Sequence, residues 1–587
     1  MSILNESLAN QIRGMGNARR DSGSSHGVPA NGVSYVKGET DVGLDYITIP
    51  QLLRVAVSRH GARDAVIFAD TGERRSYYDF DREIDALATG LLAMGLQKGD
   101  RLGLWSPNRY EWILTQFATA RIGVIMVNIN PAYRLNEVEY ALNKVGCKTL
   151  VLAKSFKASD YLGMIRQLAP ELENCEPGRL CAAKLPMLKN VIVMDDDPGP
   201  GVFTFAHVTT LGGPAQQLRL EMIDHSLNPD DPINIQFTSG TTGAPKGATL
   251  SHYNIVNNAR FVTNRIKLTD SDRLCIPVPL YHCFGMVMGV LGAVSQGAAM
   301  VFPGEGFDPL ATLEALTRER CTAVYGVPTM FVAMLHEMET QSFDLSALRT
   351  GIMAGAPCPI DVMERVNSQM NMREVTICYG MTETSPVSFQ SFVDDPIDKR
   401  CATVGRIHPH LEAKLVDDDG NIVPVGEQGE LCTRGYSVMK GYWEDDDQTR
   451  ACIIDGWMHT GDLACLDDEG FCSIVGRVKD MICRGGENIY PREIEEYLFR
   501  HPEISEAQVF GIPHETYGEE VCAWIIPKPG ENLTEESVRQ FCAGQIAHYK
   551  IPKHIQIVDE IPMTITGKPQ KFIMRDKMVE RLSGSRG

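Results

Sequence analysis

The stretch FTSGTTGAPKGATLSH, Phe237 to His252, sets Gly240, Gly243 and Gly247 among Ser239, Thr241 and Thr242, with one lysine, Lys246. Glycines let the backbone turn tightly with its N–H groups pointing inward. The hydroxyls add donors and Lys246 adds a mobile positive charge, so the stretch reads as a cradle for an oxyanion, phosphate above all. It departs from the Walker pattern, because Lys246 is followed by Gly247 instead of Ser or Thr, and the metal ligand which that pattern supplies must come from elsewhere. A solvated Gly/Ser/Thr linker is the alternative. Ile233, Ile235 and Phe237 alternate just upstream as a half-buried strand does, which favours strand followed by phosphate loop.

A chain of 587 residues, 43% of them hydrophobic, exceeds what one core supports, so several subdomains are expected. Its 56 Lys+Arg against 75 Asp+Glu give a net charge of −19. That balance disfavours nucleic acid and anionic membrane as partners, and an anionic ligand needs a local positive pocket. The 16 cysteines are scattered without a CxxC pair, which argues against a zinc site and a disulfide scaffold and for reduced thiols inside a cell. The longest apolar stretch, Met286 to Phe302, is broken by Ser295, Gln296 and Gly297 and reads as a buried helix followed by a strand, leaving no integral membrane segment. The first forty residues lack an apolar signal core and balance Arg13, Arg19 and Arg20 with Glu6, Asp21 and Glu39, so a flexible tail is expected over 1–40.

Helical periods alternate with β-branched runs through the first four hundred residues. Ile84, Leu87, Leu91 and Leu92 form one apolar stripe, Gly95 ends that helix, and a strand resumes over Arg101 to Trp105. From about Leu411 short strands are separated by DDDG (Asp417 to Gly420), GEQGE (Gly426 to Glu430) and DDEG (Asp467 to Gly470), the texture of a small β subdomain. These aspartate clusters lack EF-hand spacing and read as solvated turns. After Arg477 comes a small α+β unit, with Pro491 opening a helix and a second helix starting near Thr534. The fold class is α/β: a large N-terminal domain of layered α/β subdomains plus a small β-barrel-like subdomain over 41–478, and a small hinged α+β C-terminal domain over 479–587.

Four further stretches suit a nucleotide site. YGMTETSP (Tyr379 to Pro386) offers an aromatic face for a base, hydroxyls for phosphate, and Glu383 as a carboxylate for Mg²⁺. GWMHTGDL (Gly456 to Leu463) presents Asp462, able to accept from both hydroxyls of a ribose, and GRVKDMICRGGENIYP (Gly476 to Pro491) contributes Arg477. TITGKPQK (Thr564 to Lys571) places Lys568 before Pro569, which biases it away from helical geometry and onto an extended loop. Singly, each has a duller reading: Glu383 as a cap partner, Asp462 as a turn former, Arg477 in a surface ion pair, Lys568 as a solvated lysine.

In order and combination these stretches resemble the acyl-adenylate-forming superfamily of acyl-CoA synthetases, peptide-synthetase adenylation domains and firefly luciferases. The resemblance runs from about Tyr46 to Arg575. Within it, NINPAY (Asn128 to Tyr133), YGVPTMF (Tyr325 to Phe331) and RGGENIYP (Arg484 to Pro491) look most like the medium-chain fatty acyl-CoA synthetases.

The resemblance implies that the loop of Ser239, Gly240, Thr241, Thr242, Gly243 and Lys246 holds the β- and γ-phosphates of ATP, with Thr238 also binding the nucleotide. It further implies that Gly355, Ala356, Pro357 and Tyr379 line the adenine, that Gly380 and Met381 also bind the nucleotide, and that Thr382 touches the α-phosphate. Glu383 would bind Mg²⁺, Asp462 and Arg477 would hold the ribose, and Lys568 would bridge the substrate carboxylate and the α-phosphate. Lys479 would be a hinge, and Gly485 and Gly486 would edge the pantetheine tunnel of CoA. His282 in PLYHCFG would border the acyl tunnel with Val327, Met353 and Met381; a hydrogen-bonded core histidine is the alternative for His282. Pro569 departs from the family pattern, where an aliphatic residue is commoner.

The implied reaction converts an unreactive carboxylate into an acyl-AMP with release of pyrophosphate, then transfers the acyl group to CoA with release of AMP. Its partners are small molecules (carboxylic acid, ATP, CoA); the sequence admits a homodimer, and the expected compartment is the cytoplasm, with the mitochondrial matrix as alternative. The rival activities are loading of a carrier protein, ligation of an aromatic or alicyclic acid, and a luciferase-like oxygenation.

Overall fold

In the computed structural model the chain is described over residues 27–584, apart from 198, 239–244, 357, 478–479, 485–486, 515–516, 544, 547 and 565–567. The tail up to residue 26 lies outside the described residues, and so do Ser239, Gly240, Thr241, Thr242, Gly243, Pro357, Lys479, Gly485 and Gly486.

Local signals set the elements. Ser76 accepts from the Asp79 N–H and starts the helix Tyr77–Ala93, whose Ile84, Leu87, Leu91 and Leu92 are all buried. Each such side chain contributes about 1.5–3 kcal/mol by leaving water. Gly95, at φ +87°, turns the chain out of the helix toward the strand Arg101–Trp105. Ser251 and Asn254 form a reciprocal cap on the helix His252–Arg265. The apolar stretch after Cys283 winds as a wide-turn helix over Phe284–Leu291, continues over Gly292–Gln296 and re-emerges as the buried strand Ala299–Phe302. No helix among the described residues is long and apolar enough to cross a membrane.

The chain divides into two compact units, one of Lys37–Glu412 and Thr433–Met458, the other of Val28–Val36, Ala413–Cys432 and the chain from His459 onward. The first holds two layered sheets. An eight-stranded sheet runs in the order Phe203–Thr204, Asn190–Val193, Thr149–Leu152, Arg101–Trp105, Ile125–Asn128, Pro232–Thr238, Lys246–Ser251, Gly441–Tyr442. It is parallel up to Pro232–Thr238; the last two strands are antiparallel, with Thr238 opposite Lys246 and Ala248 opposite Tyr442. A nine-stranded sheet has the parallel strands Ala323–Gly326, Thr350–Ala354 and Glu374–Gly380 side by side, followed by antiparallel Val387–Gln390. Buried apolar side chains cover both faces of these strands, as parallel sheets require.

A six-stranded sheet contains Leu411–Val416, Gln428–Gly435, Trp457–Leu466 and Cys472–Arg477. Its turns are the expected aspartate clusters: Asp417 Oδ1 accepts from the N–H groups of Asp419 and Asn421, and Asp467 Oδ1 from those of Glu469 and Phe471. Beyond it, the helices Pro491–Leu498 and Glu535–Cys542 accompany a five-stranded sheet built on the long hairpin of Ile504–His514 and Gly518–Pro527. The α/β class with two large layered sheets, a smaller β part and a small C-terminal α+β part is as the sequence led us to expect.

Candidate active site

The carboxyl ends of parallel strands leave backbone groups and side chains facing a crevice, the usual place for a ligand in such sheets. Thr238 ends one such strand in the first sheet; Gly355, Val327 and Gly380 end or follow three neighbouring strands in the second. Gly380 admits no side chain, since a Cβ there would lie 1.7 Å from the Pro386 carbonyl oxygen. That tight return positions the next residues: the Met381 N–H donates to Pro386 O at 2.9 Å, and a single 3-10 turn follows over Thr382–Thr384. Gly355 sits at φ +92°, where a Cβ would also press to 3.3 Å from Val327 Cγ1.

Glu383, on that single turn, is 5% exposed. Its Oε1 accepts from the Thr238 hydroxyl at 3.1 Å and from the Tyr442 hydroxyl at 2.8 Å. The backbone holds it too, because the Met439 N–H donates to Glu383 O at 2.9 Å. Lys246 places its Nζ 5.0 Å from the centroid of the Tyr442 ring. Burial and the nearby Glu383 charge raise the Tyr442 phenol well above its ordinary value, so it stays a donor to the carboxylate. A buried carboxylate with one oxygen held by two donors, and no partner for Oε2 among the described residues, is a donor set that fits Mg²⁺, which takes one or two carboxylates plus phosphate oxygens.

Behind this cluster lies a second polar group that sequence reasoning did not find. The Cys283 thiol donates to Gln236 Oε1 at 3.2 Å, Gln236 Nε2 approaches Met286 Sδ at 3.7 Å, and Asn128 donates to Tyr281 O at 2.8 Å. His282 Nδ1 accepts from the Phe284 N–H at 3.2 Å at the start of the wide-turn helix, a geometry frequent at functional sites. Val327 is nearly buried, and Tyr325 stacks on Phe284 with centroids 5.5 Å apart. Met353 is fully buried on the opposite face of its strand, in the core with Phe331, Leu335 and Met363. His252, the last residue of the opening stretch, is structural: it accepts from the Ile49 N–H at 3.2 Å, and burial pushes its imidazole down to about 3.

In the second unit Asp462 and Arg477 face each other across paired strands, the Arg477 Nε donating to Asp462 Oδ1 at 2.9 Å. Asp462 is 6% exposed, whereas about half of the Arg477 side chain meets solvent. Lys568 is exposed, and its backbone is tied to Thr564: its N–H donates to Thr564 Oγ1 at 2.9 Å and its carbonyl accepts from the Thr564 N–H at 2.8 Å.

The chain matches the AMP-binding enzyme family over residues 53–443, and the AMP-binding enzyme C-terminal domain over 493–568. This protein is an AMP-binding enzyme. The enzyme is 48% identical over 559 residues to the zebrafish (Danio rerio) medium-chain acyl-CoA ligase ACSF2, mitochondrial, covering 94% of this chain and 92% of that one. It is 45% identical over 539 residues to the putative acyl-CoA synthetase YngI of Bacillus subtilis, covering 92% and 98%. Its fold superposes on the crystal structure of the anthranilate CoA ligase AuaEII in complex with anthranoyl-AMP with a TM-score of 0.79 at 26% identity, covering 92% and 98%. The enzyme is an acyl-CoA ligase of the AMP-forming, ATP-using class.

Proposed function

We propose that this AMP-binding enzyme activates a medium-chain linear or branched carboxylic acid. The acid's carboxylate oxygen attacks the α-phosphorus of ATP and pyrophosphate leaves with the P–O bond electrons. The CoA thiol then gives its proton to solvent as its sulfur attacks the acyl carbon, and AMP leaves with the electrons of the C–O bond. The observation that carries the reading is the convergence of Thr238, Lys246, Tyr442 and Glu383 at the carboxyl ends of two sheets. Lys246, with Thr238, Ser239, Gly240, Thr241, Thr242 and Gly243, neutralises and orients the β- and γ-phosphates, while Thr382 donates to the α-phosphate. Gly355, Ala356, Pro357, Tyr379, Gly380 and Met381 bound the adenine, and Asp462 with Arg477 holds the ribose. Mg²⁺, held by Glu383, would supply charge neutralisation on the phosphate oxygens.

Lys568 binds the substrate carboxylate and the α-phosphate during the first step. No general base is needed there, because the acid is already ionised at neutral pH. His282, Val327 and Met381 border the acyl chain, with Met353 packed in the core behind. Lys479 serves as the hinge between the domain over 41–478 and that over 479–587, letting a second arrangement admit CoA beside Gly485 and Gly486. The reduced-thiol composition suits the cytoplasm or the mitochondrial matrix, and a homodimer is compatible with the reading.

The deciding experiment is a CoA-dependent AMP-release screen with Mg²⁺-ATP over linear, branched, aromatic and alicyclic acids. Medium-chain acids giving the highest kcat/KM support the proposal. ADP release, or turnover without an acid, overturns the reaction, and preference for an aromatic acid overturns the substrate class.

A further inference from the structure

The strand Gln428–Gly435 places Glu430 and Cys432 two residues apart, so both side chains leave the same face. The strand Trp457–Leu466 runs beside it and brings in His459. Among the described residues, these three form one group whose ligand atoms all lie within 4.8 Å of one another. His459 Nδ1 is 2.8 Å from Glu430 Oε2 and 3.4 Å from Cys432 Sγ. The frame around them is fixed: the Gly461 N–H donates to Glu430 Oε1 at 3.1 Å and the Thr460 hydroxyl to Leu431 O at 2.7 Å.

We propose that Glu430, Cys432 and His459 form a binding site for one borderline-soft divalent cation of the Zn²⁺ class. Tetrahedral zinc with bonds of about 2.3 Å to sulfur and about 2.1 Å to nitrogen and oxygen sets sulfur roughly 3.6 Å and oxygen roughly 3.4 Å from nitrogen. The two distances from His459 Nδ1 therefore lie within about 0.6 Å of that geometry, and the Cys432 sulfur and a Glu430 oxygen, no more than 4.8 Å apart, close around the ion to complete it. A mixed thiolate, imidazole and carboxylate set selects such a cation over Mg²⁺ or Ca²⁺, which take oxygen ligands. Cys432 is completely covered, whereas the His459 and Glu430 side chains are 24% and 26% exposed, giving the ion an entry path and leaving a fourth position for water. On binding, the S–Zn bond replaces the S–H bond and the proton leaves to solvent, while the His459 to Glu430 hydrogen bond gives way to two metal bonds.

The test uses the full-length enzyme stripped with a chelator. Zn²⁺ is titrated against a competing chromophoric chelator, and Co²⁺ is used as a spectroscopic probe. The expected result is one tight equivalent per chain, proton release on binding, and a thiolate-to-cobalt charge-transfer band. Cys432→Ser should abolish the band, and His459→Gln should weaken Zn²⁺ binding by at least about tenfold, with folding checked by near-UV circular dichroism. Wild-type affinity no greater than that of either folded variant, or a band that survives in Cys432→Ser, overturns the site. If Cys432→Ser does not fold, His459→Gln and Glu430→Gln keep the thiol and decide by the same titration: unchanged affinity in both overturns it.

Discussion

The Tyr442 hydroxyl donates to Glu383 Oε1 at 2.8 Å while its ring lies 5.0 Å from Lys246 Nζ, so one side chain orients both the carboxylate and the lysine of the candidate site. Tyr442→Phe removes the first interaction and keeps the second; Tyr442→Leu removes both. A hydrogen bond to a charged group contributes about 1.5–3 kcal/mol, so Tyr442→Phe should lower acyl-AMP formation by roughly tenfold or more and raise the Mg²⁺ concentration it requires. Tyr442→Leu should fall further. Pyrophosphate exchange measured across a Mg²⁺ series checks this, and an unchanged Mg²⁺ requirement in Tyr442→Phe would show that the hydroxyl does not orient Glu383.

What could be read from the sequence follows from interaction range. The alternation of Ile233, Ile235 and Phe237 and the stripe of Ile84, Leu87, Leu91 and Leu92 are local periodicities, and both elements form where those patterns lie. Glu383 was legible because its hydroxyl-rich neighbours travel with it. Tyr442 was not: it meets Glu383 across 59 residues of chain, and only the pairing of Gly441–Tyr442 with Lys246–Ser251 brings it there. The hydrogen bonds of Cys283 to Gln236 and of Asn128 to the Tyr281 carbonyl were hidden likewise, since each residue alone reads as an ordinary strand or helix side chain. Met353 shows the converse limit, because strand alternation decides which sheet face it takes and register, not composition, sets that.

His252 makes stability depend on pH. Its folded-state pKa is depressed to about 3 from an ordinary 6.5, so the unfolded chain binds the proton more readily. The contribution is complete above pH 6.5 and is lost as pH falls toward 3. By linkage, one such group costs about 2 kcal/mol between pH 7 and pH 5. His252→Gln, which can still accept from the Ile49 N–H, should unfold in urea with a smaller loss over that interval than the wild type. An equal loss in both would assign the acid sensitivity to other groups.

Gly380→Ala tests the tight return that positions Thr382 and Glu383. The added Cβ would meet a backbone carbonyl at 1.7 Å, which no rotamer change relieves. The expected cost is roughly 1–3 kcal/mol or more, seen as a lower thermal midpoint together with lost adenylation. A variant with wild-type midpoint and activity would show that the turn deforms without cost.

Lys479→Pro tests the proposed hinge. Proline fixes φ near −65° and removes an N–H, hindering rotation about that position. Acyl-AMP formation should persist while transfer to CoA slows. Parallel loss of both half-reactions in a folded protein would count against a hinge at Lys479.

Lys568 is exposed and its backbone is held by Thr564, so its replacement by Ala changes charge without opening a core. In the proposed chemistry that charge meets the carboxylate and the α-phosphate as negative charge gathers around phosphorus. Losing one such electrostatic contact typically lowers the rate by roughly 10²- to 10³-fold, and adenylation by Lys568→Ala should fall by that amount. Pre-made acyl-AMP bypasses the affected step, so the variant should convert acyl-AMP and CoA to thioester at close to the wild-type rate. Single-turnover kinetics of each half-reaction on one preparation, with thermal unfolding measured first, separates the two. If consumption of acyl-AMP collapses together with adenylation while the fold is intact, Lys568 serves both steps, and the division of labour between two arrangements of this enzyme is wrong.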